Sequence, residues 1–258
     1  MRAFRQLDKR IGARGILYED EHVLFVNKPV GLLSQKASDT DRSMNEWLVG
    51  YLLQSGACSA QSLTEFKPSV CNRLDRNTGG ILLCAKSLQG ARALTAMLRG
   101  RTMRKFYRAV VVGRMRGEGE IEGLLTRDRS TNTVTFDSAP AKGKHSNTKT
   151  LYRTLLTGDR CSLVEMELVT GKTHQLRSHM ASLGHPIAGD AKYGDNGANS
   201  ALRKEYGLRG QLLWCCRIEF PVLTPDTAPS DEVMAALSGM VVYSDPPALY
   251  EQIVLHSH

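Results

Sequence analysis

Apolar residues along the 258-residue chain fall into short blocks, most with the length and period of strands. HVLFVNK (22–28) is a compact apolar run ended by Pro29 and Gly31. ILLCA (81–85) reads as a buried strand, and KFYRAVVVG (105–113), TVTF (133–136) and TKTLYRTLL (148–156) as three more. SLVEMELV (162–169) alternates, which predicts Val164, Met166 and Leu168 on a covered face and Glu165 and Glu167 on an open one. Leu212 to Phe220 has the composition of a late strand.

Three stretches carry the helical period instead. Ser43 and Glu46 have capping-box spacing ahead of Trp47, Leu48, Tyr51 and Leu52, which predicts a helix over 43–53. Ser87 precedes Leu88, Ala91, Leu94 and Leu98, with Gly100 as a stop. Thr173 opens a helix to about Leu183, with Leu176, Met180 and Leu183 on the buried side and Gly184 and Pro186 closing it. Residues 190–210, rich in Gly, Asn and Asp, predict a surface loop. Strands outnumber helices and do not alternate regularly with them, so the predicted class is α+β rather than a doubly wound sheet.

Charge adds a second layer. Lys and Arg number 34 against 26 Asp and Glu, a formal net charge of +8. Between Cys71 and Arg116 there are eleven basic residues and one acid, Asp75, so that stretch carries more positive charge than the whole chain. Localised charge of this kind suits a polyanion such as RNA or DNA, although a solvated basic face would have the same composition. Six cysteines without a CxxC pair suggest neither a zinc knuckle nor a dithiol redox site, and fit buried reduced thiols. No apolar run approaches the roughly 20 residues of a membrane span, and the start is basic without an apolar signal core, so a cytosolic protein is expected.

Few residues are placed for chemistry. In CNRLDRNTGG, Asp75 lies between Arg73 and Arg76, whose charges favour an ionised carboxylate able to attack or stabilise an electron-poor carbon. An Asx-type turn with two solvated arginines would use the same residues. In GKTHQLRSHMASLGH (171–185), His174 and His179 are five apart, not the four of paired zinc ligands, so no metal site is predicted. Arg177 near a helix start can hold a carboxylate or phosphate, or lie on the surface. Tyr107 can stack on an unpaired base or simply pack in the core. Walker, GxGxxG and GxSxG motifs are absent, and no second acid lies near Asp75. What remains is chemistry feasible with one carboxylate, a phenol and arginines.

NKPVGLLSQ (27–35), NRLDRNTGGILLCAKS (72–87), KFYRAVVVG (105–113) and TGKTHQLRSHMASLGHPIAGDAKYG (170–194) occur in order. Together they resemble the successive motifs of the RluA-type pseudouridine synthases over about residues 16 to 225. The resemblance implies isomerisation of uridine to pseudouridine within RNA, ribosomal or transfer, without cofactor or metal. It implies a mixed, largely antiparallel sheet flanked by helices, with the active site in a central cleft. Position by position, Asp75 matches the catalytic aspartate, Arg177 the arginine paired with that carboxylate, and Tyr107 the tyrosine that stacks on the target base and assists proton removal at C5. Arg73 matches the arginine that fills the gap left by the flipped uridine; Arg76, Lys105, Lys172 and His174 complete the expected RNA contacts. Three departures stand out: Asn72 where histidine is frequent, Lys172 where arginine is frequent, and only about 15 residues ahead of the domain, where many relatives carry an S4-like RNA-binding module. The organisation expected is a basic stub over 1–15 and a catalytic domain over 16–258, acting as a monomer. A non-catalytic RNA-binding protein of the same fold, acting in ribosome assembly, is the alternative.

Overall fold

A computed structural model describes residues 8–9, 11–12, 15–38, 41–128, 133–139, 147–224 and 231–256; most of the basic stub over 1–15 lies outside them. The elements run β1 (Ile16–Glu19), β2 (Val23–Lys28), α1 (Met44–Ser55), α2 (Ser62–Glu65), β3 (Ser69–Val70), β4 (Gly79–Ala85), α3 (Leu88–Gly100), β5 (Arg104–Val112), β6 (Glu118–Asp128), β7 (Thr133–Asp137), β8 (Thr148–Thr157), β9 (Cys161–Leu168), α4 (Gln175–Ser182), α5 (Asn196–Tyr206), β10 (Leu213–Glu219), α6 (Glu232–Leu237), β11 (Val241–Tyr243) and α7 (Leu249–Leu255). The class is α+β, as the apolar pattern predicts, and every strand pair described below is antiparallel, in keeping with the largely antiparallel sheet that the resemblance implies. The chain divides into two compact units, residues 1–103 with 217–245 and residues 104–216 with 246–258.

The first unit is built on β2 and β4. They pair from Val23↔Ala85 to Lys28↔Gly80, and neither has an open face: Val23 to Val26 and Ile81 to Ala85 are fully buried. Continuous burial explains why both read as unbroken apolar runs and not as alternating ones. β1 borders β2, β3 borders β4, and the end of β10 pairs with β11. Phe25 stacks on Phe220 with centroids 5.4 Å apart. At the start of α1, Glu46 accepts the Ser43 N–H at 3.1 Å, the backward half of the expected capping box. At the start of α3, Ser87 Oγ accepts the Gly90 N–H at 3.1 Å.

The second unit is the antiparallel succession β5-β9-β8-β6-β7. Its core joins Val110, Leu163 and Ala188 to Leu202 of α5 and to Tyr250, Ile253 and Val254 of α7. β9 lies between β5 and β8, which corrects the expected open face: Glu165 is 9% exposed. It is tolerated there because Arg108 and Arg153 stand directly opposite on the two neighbouring strands, Arg153 Nη2 at 3.0 Å. The loop expected over 190–210 is also corrected, since 196–206 form α5. Asp195 caps its first turn by accepting the Ala198 N–H at 2.7 Å, and Gly207, in the left-handed region, ends it. Among the described residues no helix is long and apolar enough to cross a membrane.

The six cysteines are free, four of them buried, and burial pushes the Cys71 and Cys161 thiols up to about 11. They are packing residues rather than nucleophiles.

Gly90 gives a sharp test of this packing. Helix propensity favours Ala over Gly by about 1 kcal/mol. A Cβ at Gly90 would, however, run into the backbone carbonyl of His22, which leads into β2 and accepts the Lys86 N–H at 2.8 Å. The clash is with backbone, so Gly90→Ala is expected to destabilise by about 1–3 kcal/mol. A thermal midpoint equal to or above that of the natural protein would contradict this.

Candidate active site

In the first unit Asp75, the expected catalytic aspartate, opens the turn Asp75–Thr78, closed by the Thr78 N–H donating to the Asp75 carbonyl at 3.0 Å. The residues on either side of Asp75 are gripped by the segment that follows β2. Ser34, buried, donates through Oγ to the Leu74 carbonyl at 2.9 Å and accepts the Leu74 N–H at 3.0 Å. On the other side, the Arg76 carbonyl accepts the Gly31 N–H at 2.7 Å and the Lys28 ammonium at 3.2 Å. Lys28 is fully buried, and Nζ also donates to the carbonyls of Leu32 at 2.7 Å and Pro29 at 3.1 Å. Gly31 has φ +81°, a conformation that favours glycine and lets the backbone turn back toward residue 76.

Asn72, where histidine is frequent in the resemblance, is tied to β4. Its Oδ1 accepts the Leu83 N–H at 2.7 Å and its Nδ2 donates to the Ile81 carbonyl at 3.4 Å. The amide thus supplies both a donor and an acceptor to the strand, which keeps residues 71–74 alongside β4.

The second unit carries Tyr107 on β5 and the α4 cluster. Tyr107 is buried, 5% exposed, opposite Met166. α4 is buried over six successive residues, Gln175 to Met180, four of them polar, while Leu183, expected on the buried side, is exposed. Each buried polar group is satisfied. Gln175 spans the Lys149 carbonyl, the Thr150 hydroxyl and the Thr170 hydroxyl at 2.8–3.0 Å. Arg177, which is not on the surface, holds Asp190 with its fork: Nε to Oδ2 2.6 Å and Nη2 to Oδ1 2.8 Å. His174 takes the left-handed region at φ +55° as the residue before α4, and its Nδ1 is 2.9 Å from the Tyr193 hydroxyl. Lys172 is exposed beside it.

The expected RNA contacts are sorted by this placement. Arg73 and Arg76 are exposed, the latter with Asp41 3.4 Å away. Lys105, also expected to contact RNA, is 9% exposed, at a register where β5 is covered. The basic stretch is also less bare than its sequence. Several of its cations face carboxylates brought from elsewhere, among them Arg76 with Asp41, Lys86 with Glu19, Arg104 with Glu167, Arg108 with Glu165 and Arg114 with Asp159. Lys28, Ser34, Asp190 and Tyr193 were not singled out in the sequence; only their membership of the matched motifs could have flagged them.

The residues from 22 to 182 match a family model described as RNA pseudouridylate synthase. Among curated relatives, ribosomal large subunit pseudouridine synthase D of Zymomonas mobilis is 31% identical over 207 residues, 80% of this chain and 64% of its own. The enzyme of the same name from Borreliella burgdorferi is 36% identical over 182 residues, 69% and 54% of the two chains. The chain therefore spans less than two thirds of the length of these relatives. Among solved structures, human RNA pseudouridylate synthase domain containing 4 shares the fold, with a TM-score of 0.71 and 21% identity over 96% of this chain and 94% of that one.

Two outcomes are expected from this geometry. Ser34→Ala leaves both the buried amide and carbonyl of Leu74 without a partner and should cost about 2 kcal/mol or more in chemical denaturation; a loss within about 0.5 kcal/mol, the range of ordinary surface substitutions, would contradict the clamp. The second concerns His179, fully buried, whose imidazole burial pushes down from 6.5 to about 4. Thr148 donates to the Gly123 carbonyl and Thr150 accepts from Gln175, so Thr148 receives the His179 Nε2–H and Thr150 donates to Nδ1. The neutral ring is the one that fits. Because the folded value lies below the unfolded one, this contribution to stability is complete above pH 6.5 and is lost as pH falls from 6.5 toward 4. Denaturation midpoints across that window should fall less in His179→Gln than in the natural protein, and parallel slopes would rule the effect out.

Proposed function

The chain belongs to the RNA pseudouridylate synthase family, and from that premise we propose that it isomerises specific uridines in structured RNA to pseudouridine, with Asp75 as the reacting carboxylate. The bond from C1′ to N1 breaks, the uracil turns in place, and C5 bonds to C1′ while its proton is transferred to N1. Leaving group and nucleophile are the same base, so atoms balance with no cofactor, metal or energy source. Tyr107 serves the base and the C5 proton, and Arg177 is the cation of the reaction. Residues 16–258 form the catalytic domain, working as a cytosolic monomer.

The observation that carries this reading is the way Asp75 is presented. The residues before and after it are fixed by buried bonds, while its carboxylate stands on a half-exposed turn between Arg73 and Arg76. A turn that served only to connect two strands would not need a buried ammonium. Exposed Arg73 and Lys172 suit phosphates, and stacking and phosphate contacts must offset the few kcal/mol of extruding a base. The names of the curated relatives favour large-subunit ribosomal RNA as the substrate.

The test is site mapping of pseudouridine by carbodiimide reaction and reverse transcription, after ribosomal and transfer RNA are treated with the natural protein or Asp75→Asn. Site-specific signal with the natural protein and none with the variant, at nearly unchanged RNA affinity, is expected. RNA binding with no product from either protein would favour a non-catalytic RNA-binding protein of this fold.

A further inference from the structure

We infer that the outward face of α3 is a second RNA surface, an arginine ridge of Arg92, Arg99 and Arg101 that holds backbone phosphates flanking the target uridine. The inference rests on the RNA substrate of the proposed function and adds a surface that the candidate site does not contain.

The inner side of α3 decides what its outer side shows. Gly90, Ala93, Leu94 and Met97 are buried, and at Gly90 the helix comes so close to the His22 carbonyl that no Cβ fits between them. Gln89, Arg92, Ala96 and Arg99 are left exposed, spaced by three, four and three residues, the period of one helix face. Arg92 and Arg99 therefore share that face, about 10 Å apart along the axis. A helix that only faces water mixes its charges, and a Glu four positions before a cation supports it. Those two positions hold Leu88, 50% exposed, and Thr95, and residues 88–101 contain no acid. Among the described residues no carboxylate reaches Arg92, Arg99 or Arg101 from elsewhere, in contrast to Arg76, Lys86 and Arg104. Asp231 and Glu232 line a cavity with Gln89, at the start of α3, so the uncompensated charge grows toward the other end of the helix.

Arg101 carries the argument beyond composition. It ends α3 in the left-handed region, at φ +54° and ψ 32°, its N–H donating to the Leu98 and Met97 carbonyls. Glycine takes this conformation without strain, and a side chain does not. Among the described residues only Arg101 and His174 have a positive φ without being glycine, and His174 belongs to the candidate site. The glycine of this terminus stands one position early. A Cβ at Gly100 would meet Thr102 at 3.5 Å, an ordinary contact, so packing does not force the order Gly100, Arg101. The helix dipole favours a cation here, but Arg99 already supplies one in the last turn. A strained backbone that keeps an exposed arginine is accounted for when that arginine has a task.

The chemistry of the ridge fits phosphates. All three cations are arginines, whose planar fork matches a phosphate and never loses its charge. No large apolar side chain is exposed between Arg92 and Arg101, where an acidic protein partner would need one to bury. A row of like charges without apolar cover suits a polymer that carries one negative charge per residue and is held by its backbone.

The test uses the full chain, with Arg92→Gln/Arg99→Gln, Arg101→Gly and, as a charge-matched control, Arg203→Gln/Lys204→Gln at the exposed end of α5. Affinity for transcribed large-subunit ribosomal RNA is measured from low to high salt, with the melting temperature of each protein. A cation on a phosphate contributes about one to the slope of log affinity against log salt. Arg92→Gln/Arg99→Gln should lower that slope by about two. Between about 50 and 200 mM salt the natural protein should then lose roughly tenfold more of its affinity than this variant. Arg101→Gly should lower the slope by about one with a melting temperature equal to or above the natural one, because glycine relieves the strain as the contact is lost. The control should keep the natural slope. An equal fall in the control marks general attraction and overturns the inference, as does a drop in the melting temperature of Arg101→Gly at natural RNA affinity, which would make that arginine structural. No RNA binding by the natural protein overturns the proposed function, and the inference with it; natural binding that the ridge variants leave untouched overturns only the inference.

Discussion

The ammonium of Lys28 is the constraint on which the first unit turns. A buried cation is among the costliest things a fold can hold, and its cost falls only when its donors meet acceptors in good geometry. Pro29, Leu32 and Arg76 supply carbonyls, and they converge only if β2 ends at Lys28, the 29–34 segment folds back, and residues 71–78 pass alongside. The β2–β4 register, which places Lys28 opposite Gly80, brings these three conditions together. The position of the Asp75 backbone is therefore a consequence of core pairing, one residue removed from a bond that the core cannot easily give up.

The second unit uses the same logic with different residues. α4 is embedded with Gln175, Arg177, Ser178 and His179 inside, and each is satisfied by a neighbour of complementary kind. Such a helix has little freedom to slide or rotate, because every displacement would strand a buried polar group at about 1–3 kcal/mol. Rigid presentation of a few side chains is what chemistry by positioning requires.

The fold was legible wherever one face or both faces of an element are simply apolar. β2, β4, β5 and α3 carry their burial in their own residues, so the pattern and the structure agree to within a residue or two. β6 was not read, because Gly119 and Gly123 interrupt its pattern. Those glycines are spaces for the Tyr152 and Phe136 side chains of the strands alongside, a reason that lies in other parts of the chain. α5 was hidden by its Asn- and Gly-rich start, whose turn-forming residues serve as a cap. The excess charge of residues 71–116 was overstated for the same kind of reason: a count along the chain cannot see Glu165 or Glu167 arriving on the adjacent strand. At the site, Asp75 and Arg177 were legible through motifs. Lys28, Ser34 and Asp190 were not, since their roles are defined by partners 48, 40 and 13 positions away.

Native-state amide hydrogen exchange on Lys28→Met shows whether the Lys28 clamp holds the turn bearing Asp75. The Gly31, Leu74 and Thr78 amides should lose protection in the variant while those of β8 and β9 keep theirs. Equal protection of those three amides in the variant and the natural protein would contradict it.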